Sequence, residues 1–183
     1  MPCVEGAAAN APQFRRIGSA VARVAGVAVV YYLASRVGLA FAIPPADVTP
    51  VWPASGIGLA AVLLFGAVVW PGIWLGAAAV ALQSGNPIWV SGGIGCGNAF
   101  EALLSAWLIR RLIGEGSPFE RGWDAVMYWA TAGWLGCAIG AAAGMAPLLL
   151  AGLIPSGHAL DLWWAWWLGD VGGVVLVAPI VLV

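Results

Sequence analysis

The chain has 183 residues, 62% hydrophobic and only 8% charged, with a formal net charge of −1, whereas soluble domains average about 25% charged residues. That composition excludes a soluble globular domain and describes a membrane protein. All seven basic residues are arginines, which leaves no basic patch and excludes a nucleic-acid surface.

Residues 1–19 read as an N-terminal tail carrying Cys3, Arg15 and Arg16. The apolar run behind it is too long for a signal-peptide core and has no small-residue cleavage site, so it reads as a first membrane helix. A helix rises about 1.5 Å per residue and needs about 20 apolar residues to span a bilayer. Six segments qualify or nearly do. The first runs from about Ala20 to Ile43 and is stopped by Pro44-Pro45. The second, from about Ser55 to Val69, and the third, from about Pro71 to Leu82, are short and are separated only by Trp70-Pro71-Gly72, which reads as a tight turn. The fourth runs from about Ile88 to Ile109, the fifth from about Ala125 to Leu150 and the sixth from about Leu162 to Val183. The chain stops inside this last apolar run, so further polypeptide is expected there. Cys96 and Cys137 fall in spans, and with no CxxC or Cys/His cluster they read as small apolar fillers, with no metal or cofactor expected.

If all six segments cross, Arg15, Arg16, Arg110, Arg111 and Arg121 lie on one side. The loops near Asp47, Gln83 to Asn86 and His158 lie on the other and carry no arginine. The positive-inside rule then makes both termini cytoplasmic. The expected fold is an all-α, compact bundle of about six transmembrane helices.

Glycines recur every four residues at Gly136, Gly140 and Gly144 and again at Gly72 and Gly76, a pattern that lets helices approach closely. The twelve tryptophans sit mostly near span ends, as interfacial belts do. Trp163, Trp164, Trp166 and Trp167 are denser than a belt needs, so some face protein and could wall an outer cavity.

Ionisable groups inside spans are costly and turn inward to pair. Counting residues at about 1.5 Å each puts Arg36 roughly 10 Å below the outer face, Asp170 roughly 12 Å, Asn98 roughly 15 Å and Glu101 about 5 Å deeper. Asn98 and Glu101, three apart, share a helix face. The expected polar centre is therefore Asn98, Glu101, Asp170 and Arg36, with Arg36 partnering Asp170, while Arg23 snorkels toward the cytoplasmic end. Ser55 is placed to cap the second span behind Pro53. Pro-Ala-Ser-Gly at residues 53–56 resembles a rhomboid serine motif, but a proline stands where that motif leads with glycine, and His158 is the only base on offer. Gly169-Asp170 resembles part of an intramembrane aspartyl protease motif but has no second aspartate in another span. No catalytic activity is expected.

Four blocks carry a more specific likeness: VWPASGIGLA from Val51 to Ala60, LLFGAVVWPGIWLGA from Leu63 to Ala77, GNAFEALLSAWLIRRL from Gly97 to Leu112, and WWLGDVGGVVLVAPIVL from Trp166 to Leu182. In order and spacing the chain resembles the membrane-associated sensor (MASE) domain, type one, of bacterial signalling proteins, over about two-thirds of its length. The family's characteristic positions fall on Trp52, Pro53, Ser55, Gly56, Trp70, Pro71, Gly72, Gly76, Asn98, Glu101, Gly169, Asp170 and Pro179. The resemblance implies a multi-span sensory input domain, residues 20–183, fused to a histidine kinase, diguanylate cyclase or cyclic-di-GMP phosphodiesterase. Ala67-Val68-Val69 replaces the arginines usual between spans two and three, and the family usually adds about two more spans, which makes the expected domain part of an eight-span one. The expected partners are the lipid bilayer of the bacterial cytoplasmic membrane, an output domain in cis or a separate signalling protein, and a small-molecule ligand, with a homodimer left open. The alternative reading, a small transporter or channel component, would use the midplane carboxylates to carry protons or substrate.

Overall fold

Small residues at helical spacing set the architecture by letting helices meet at their backbones. The computed structural model describes residues 5–42, 49–114, 119 and 121–183, with side chains from residue 17 onward except that of residue 156. Among these residues lie six helices: α1 Glu5–Ala40, α2 Pro53–Phe65, α3 Trp70–Gln83, α4 Ile88–Leu112, α5 Gly122–Leu150 and α6 Ala159–Leu182. Three stretches, Ile17–Ala40 of α1, α5 and α6, are long and apolar enough to cross a membrane, and α2 and α3 are shorter apolar helices. The protein is an all-helical, multi-pass membrane protein. Cys3, Pro44, Pro45 and Asp47 lie outside the described residues, as do the side chains of Arg15 and Arg16.

The helices close a ring. Helix α1 packs on α3, α3 on α4, α4 on α5, α5 on α6, α6 on α2 and α2 back on α1, while α2 also meets α4 across the middle. On α1 the buried residues Val27, Tyr31 and Ser35 recur every four positions and so form one stripe. Gly72 and Gly76 of α3 meet that stripe, since a Cβ on either would strike an α1 carbonyl, that of Val24 or Ala28. The ridge on α5 faces α4 in the same way, with Gly136 under Ser105, Gly140 under Glu101 and Gly144 against Gly97.

The turn between α2 and α3 falls earlier than Trp70-Pro71-Gly72. Gly66 reverses the chain at φ 82 and Ala67–Val69 form a 3-10 turn, so Trp70, Pro71 and Gly72 already belong to the first turn of α3. Proline lacks the N–H that a first turn leaves unpaired, and glycine accepts a positive φ without steric cost. With 13 and 14 residues, α2 and α3 are each only about 20 Å long, short of a hydrocarbon core of about 30 Å.

Helix α2 starts part-way along α6. The extended segment Thr49 to Trp52 lies against α6, where the Trp52 N–H donates to the Gly169 carbonyl at 2.7 Å and Gly172 faces Pro50 and Val51. Non-helical backbone at membrane depth survives only where protein satisfies it. At its other end α2 is level with the end of α4, because Arg110 Nη2 donates to the Val62 and Leu63 carbonyls at 2.8 and 3.1 Å.

Gly56 and Gly173 bring α2 and α6 into backbone contact, for a Cβ on Gly173 would overlap the Trp52 carbonyl and one on Gly56 the Gly173 carbonyl. Gly173→Val is therefore expected to cost about 3 kcal/mol or more, read as a lowered unfolding midpoint in detergent. Gly26→Ala, whose new methyl meets nothing within 4 Å, should leave that midpoint unchanged or raised.

Candidate functional site

Polar side chains on one face of α4 have to find partners on the helices around it. Tyr31 Oη of α1 donates to Asn98 Oδ1 at 2.7 Å, and Asn98 Nδ2 donates to the Ile94 carbonyl at 2.9 Å. One turn along, Glu101 is 4% exposed, and its carboxyl lies within hydrogen-bonding reach of Asp170, Ser55 and Cys137. Asp170 of α6, 6% exposed, accepts a 2.6 Å hydrogen bond from Ser55 Oγ of α2. The two carboxyl groups expected to form a polar centre are thus brought together, with groups from α1, α2 and α5 around them.

Arg36 does not join them. Its Nη1 donates to Gln83 Oε1 at 3.0 Å, and Tyr32 Oη donates to the same oxygen at 2.8 Å. Arg36 lies on the exposed side of α1, off the Val27, Tyr31 and Ser35 stripe, which is why it reaches the end of α3 instead of the interior. Ser55 likewise leaves its expected capping role, since α2 has no side-chain cap and its hydroxyl is taken by Asp170. Arg23 lies with its guanidinium carbon 5.8 Å from the centre of the Phe65 ring. Tyr31 and Cys137 are site residues that sequence reasoning did not assign, and it named Ser55 without its bond to Asp170, because these roles depend on which helices become neighbours.

Above the carboxyl pair opens a cavity of about 260 Å³. Its lining runs from Ser84 and Asn86 past Trp52, Ile94, Leu148 and Trp166 to Thr49, Asn98, Gly169 and Asp170 beside the carboxyl pair, its floor. Of the four clustered indoles only Trp166 lines it. Trp163 and Trp167 stack at 5.6 Å between centroids and donate to the Ala138 and Trp134 carbonyls of α5 at 3.1 and 3.0 Å, while Trp164 is 46% exposed. The expected aromatic wall is therefore one indole of that cluster joined by Trp52.

Helix α5 carries a π-helical stretch, Trp129–Gly136, just before Cys137. A wider turn leaves main-chain carbonyls free for side-chain donors, and such stretches gather at functional sites. Here the Trp134 carbonyl takes the Trp167 indole and the Ala132 carbonyl takes Cys137 Sγ at 3.2 Å.

The family described as MASE1 matches residues 23–183, which takes in every residue of this site. The chain belongs to the MASE1 family. No curated protein and no solved structure gives a match. A MASE1 domain is a membrane sensor domain, not catalytic by itself, and it implies a linked signalling domain. In this MASE1 chain Trp52, Ser55, Gly56, Gly169 and Asp170 converge where α2 docks on α6. Pro53 occupies the first turn of α2, Trp70 and Pro71 open α3, and Pro179 sits inside the last turns of α6.

Ser55→Ala removes a hydroxyl from a buried carboxylate oxygen and is expected to destabilise the chain by about 1–3 kcal/mol. Ser105→Ala should be neutral or stabilising in the same thermal-unfolding assay, because the buried Ser105 Oγ has no hydrogen-bond partner to lose.

Proposed function

We propose that this domain, residues 20–183 behind an N-terminal tail, is the input module of a signalling protein in the bacterial cytoplasmic membrane. Both termini face the cytoplasm. Arg110, Arg111 and Arg121 gather at one end of the bundle, which supports that orientation. The cavity then opens outward through its rim at Ser84 and Asn86 and takes up a small molecule from that side.

One observation carries the reading: Gly169 and Asp170 form the floor of the cavity and are also the residues by which α6 holds α2. An occupant that touches the floor therefore interacts directly with the α2–α6 contact. A ligand shifts a conformational equilibrium only by its differential affinity for the two states. Here the two states differ in how α6 sits against Trp52 and Ser55, and α6 runs from the floor to the cytoplasmic end. Its displacement passes the signal to a histidine kinase, diguanylate cyclase or cyclic-di-GMP phosphodiesterase beyond it.

In the full signalling protein, Ala81→Phe, which fills the cavity from α3, is expected to fix output at one level and abolish response to medium conditions. Autophosphorylation or cellular cyclic-di-GMP would be measured at matched membrane abundance. A response identical to wild type would overturn the sensor reading. Proteoliposomes carrying the chain are expected to pass no protons; flux that Glu101→Gln removes would favour the transporter instead.

A further inference from the structure

We propose that the cavity recognises a small organic amine, its ammonium group directed at Asp170 and its apolar body held between Trp52 and Trp166. This rests on reading the cavity as the sensor's ligand site and adds the chemical class. Size sets the scale, because about 260 Å³ lies just below the range of about 300–1,000 Å³ common for ligand pockets. One aromatic ring or a short alkyl chain fits that volume. Ile94 and Leu148 line the cavity with the two indoles, and indole faces attract cations as well as apolar groups.

Charge decides the class. Asp170 and Glu101 are buried side by side, and among the described residues no cationic side chain touches either. Arg36 is bonded to Gln83, Arg110 to the Val62 and Leu63 carbonyls, Arg23 lies over Phe65, and His158 is beside Asp161. Tyr31 and Cys137, the other titratable groups facing the pair, bring no positive charge. The nearest fixed positive potential is the N-terminus of α2, worth about half an elementary charge. With one proton shared between the two carboxyls, a deficit of about half a charge remains at the floor. An anion would meet this floor without a counter-charge, and a bare metal ion would leave the apolar wall uncovered. An organic ammonium satisfies both, with the Asn98 amide oxygen and the Asp170 carboxylate as acceptors.

The test compares 2-phenylethylamine with 2-phenylethanol, which share ring and length but differ in the terminal group. Binding to the chain in lipid nanodiscs is measured by equilibrium dialysis, with empty nanodiscs of the same lipid subtracted. The amine is expected to bind saturably and about tenfold or more tightly than the alcohol, as charge-assisted hydrogen bonds allow. Asp170→Asn should remove that preference, bringing the amine's affinity to that of the alcohol. Absence of saturable amine binding, equal affinities in the wild type, or a preference surviving in folded Asp170→Asn would overturn the proposal. The wild-type comparison decides by itself if the variant does not fold. Equal affinities combined with an Ala81→Phe signalling defect reject the amine and keep the sensor, whereas a normal response in Ala81→Phe rejects the sensor reading itself.

Discussion

Two carboxyl groups buried in the middle of a membrane protein constrain nearly everything around them. A carboxyl group taken out of water without partners costs several kcal/mol. Glu101 and Asp170 come from α4 and α6, so neither helix can satisfy its own acid, and the bundle has to bring both to one place. Ser55 reaches in from α2 to donate at 2.6 Å, Cys137 from α5 lies in hydrogen-bonding reach of Glu101, and the Tyr31 to Asn98 bond closes the α1 side. All the helices but α3 therefore contribute a polar atom to one centre.

Close approach is what makes that centre attainable. Short polar arms such as serine reach a carboxylate only when the backbones lie near each other, and glycine permits this at Gly56, Gly173 and Gly140. In a bilayer there is no hydrophobic gain in bringing one apolar helix to another, so small residues and interhelical hydrogen bonds do the work. The same contacts place the cavity floor on the seam between α2 and α6. In the proposed sensor, ligand recognition and the mechanical link along α6 depend on the same few atoms.

Trp52 gathers several of these roles. Its N–H is tied to the Gly169 carbonyl, its side chain walls the cavity, and its carbonyl sits where any side chain on residue 173 would have to go. A residue so placed would transmit a small movement of α6 to the start of α2 with little slack, because packed interiors shift between discrete arrangements instead of deforming smoothly.

The amino-acid sequence alone determined the class of the molecule and much of its frame: a lysine-free, weakly charged chain with six apolar segments, a glycine ridge on the fifth, and an amide and a carboxyl one turn apart on the fourth. Those features are local, since hydropathy and helical spacing are read within a single segment. Family membership was legible too, from blocks around Trp52, Pro71, Glu101 and Asp170. Only the tertiary structure decided that Asp170 takes Ser55 and not Arg36, that Trp166 alone of its cluster faces the cavity, and that Gly66 rather than Trp70-Pro71-Gly72 turns the hairpin. Depth along a helix can be counted from sequence, but the rotation of one helix against another is set by side-chain fit across interfaces. Counting residues puts Arg36 and Asp170 at similar depths, and it is rotation that sends one outward to Gln83 and the other inward to Ser55.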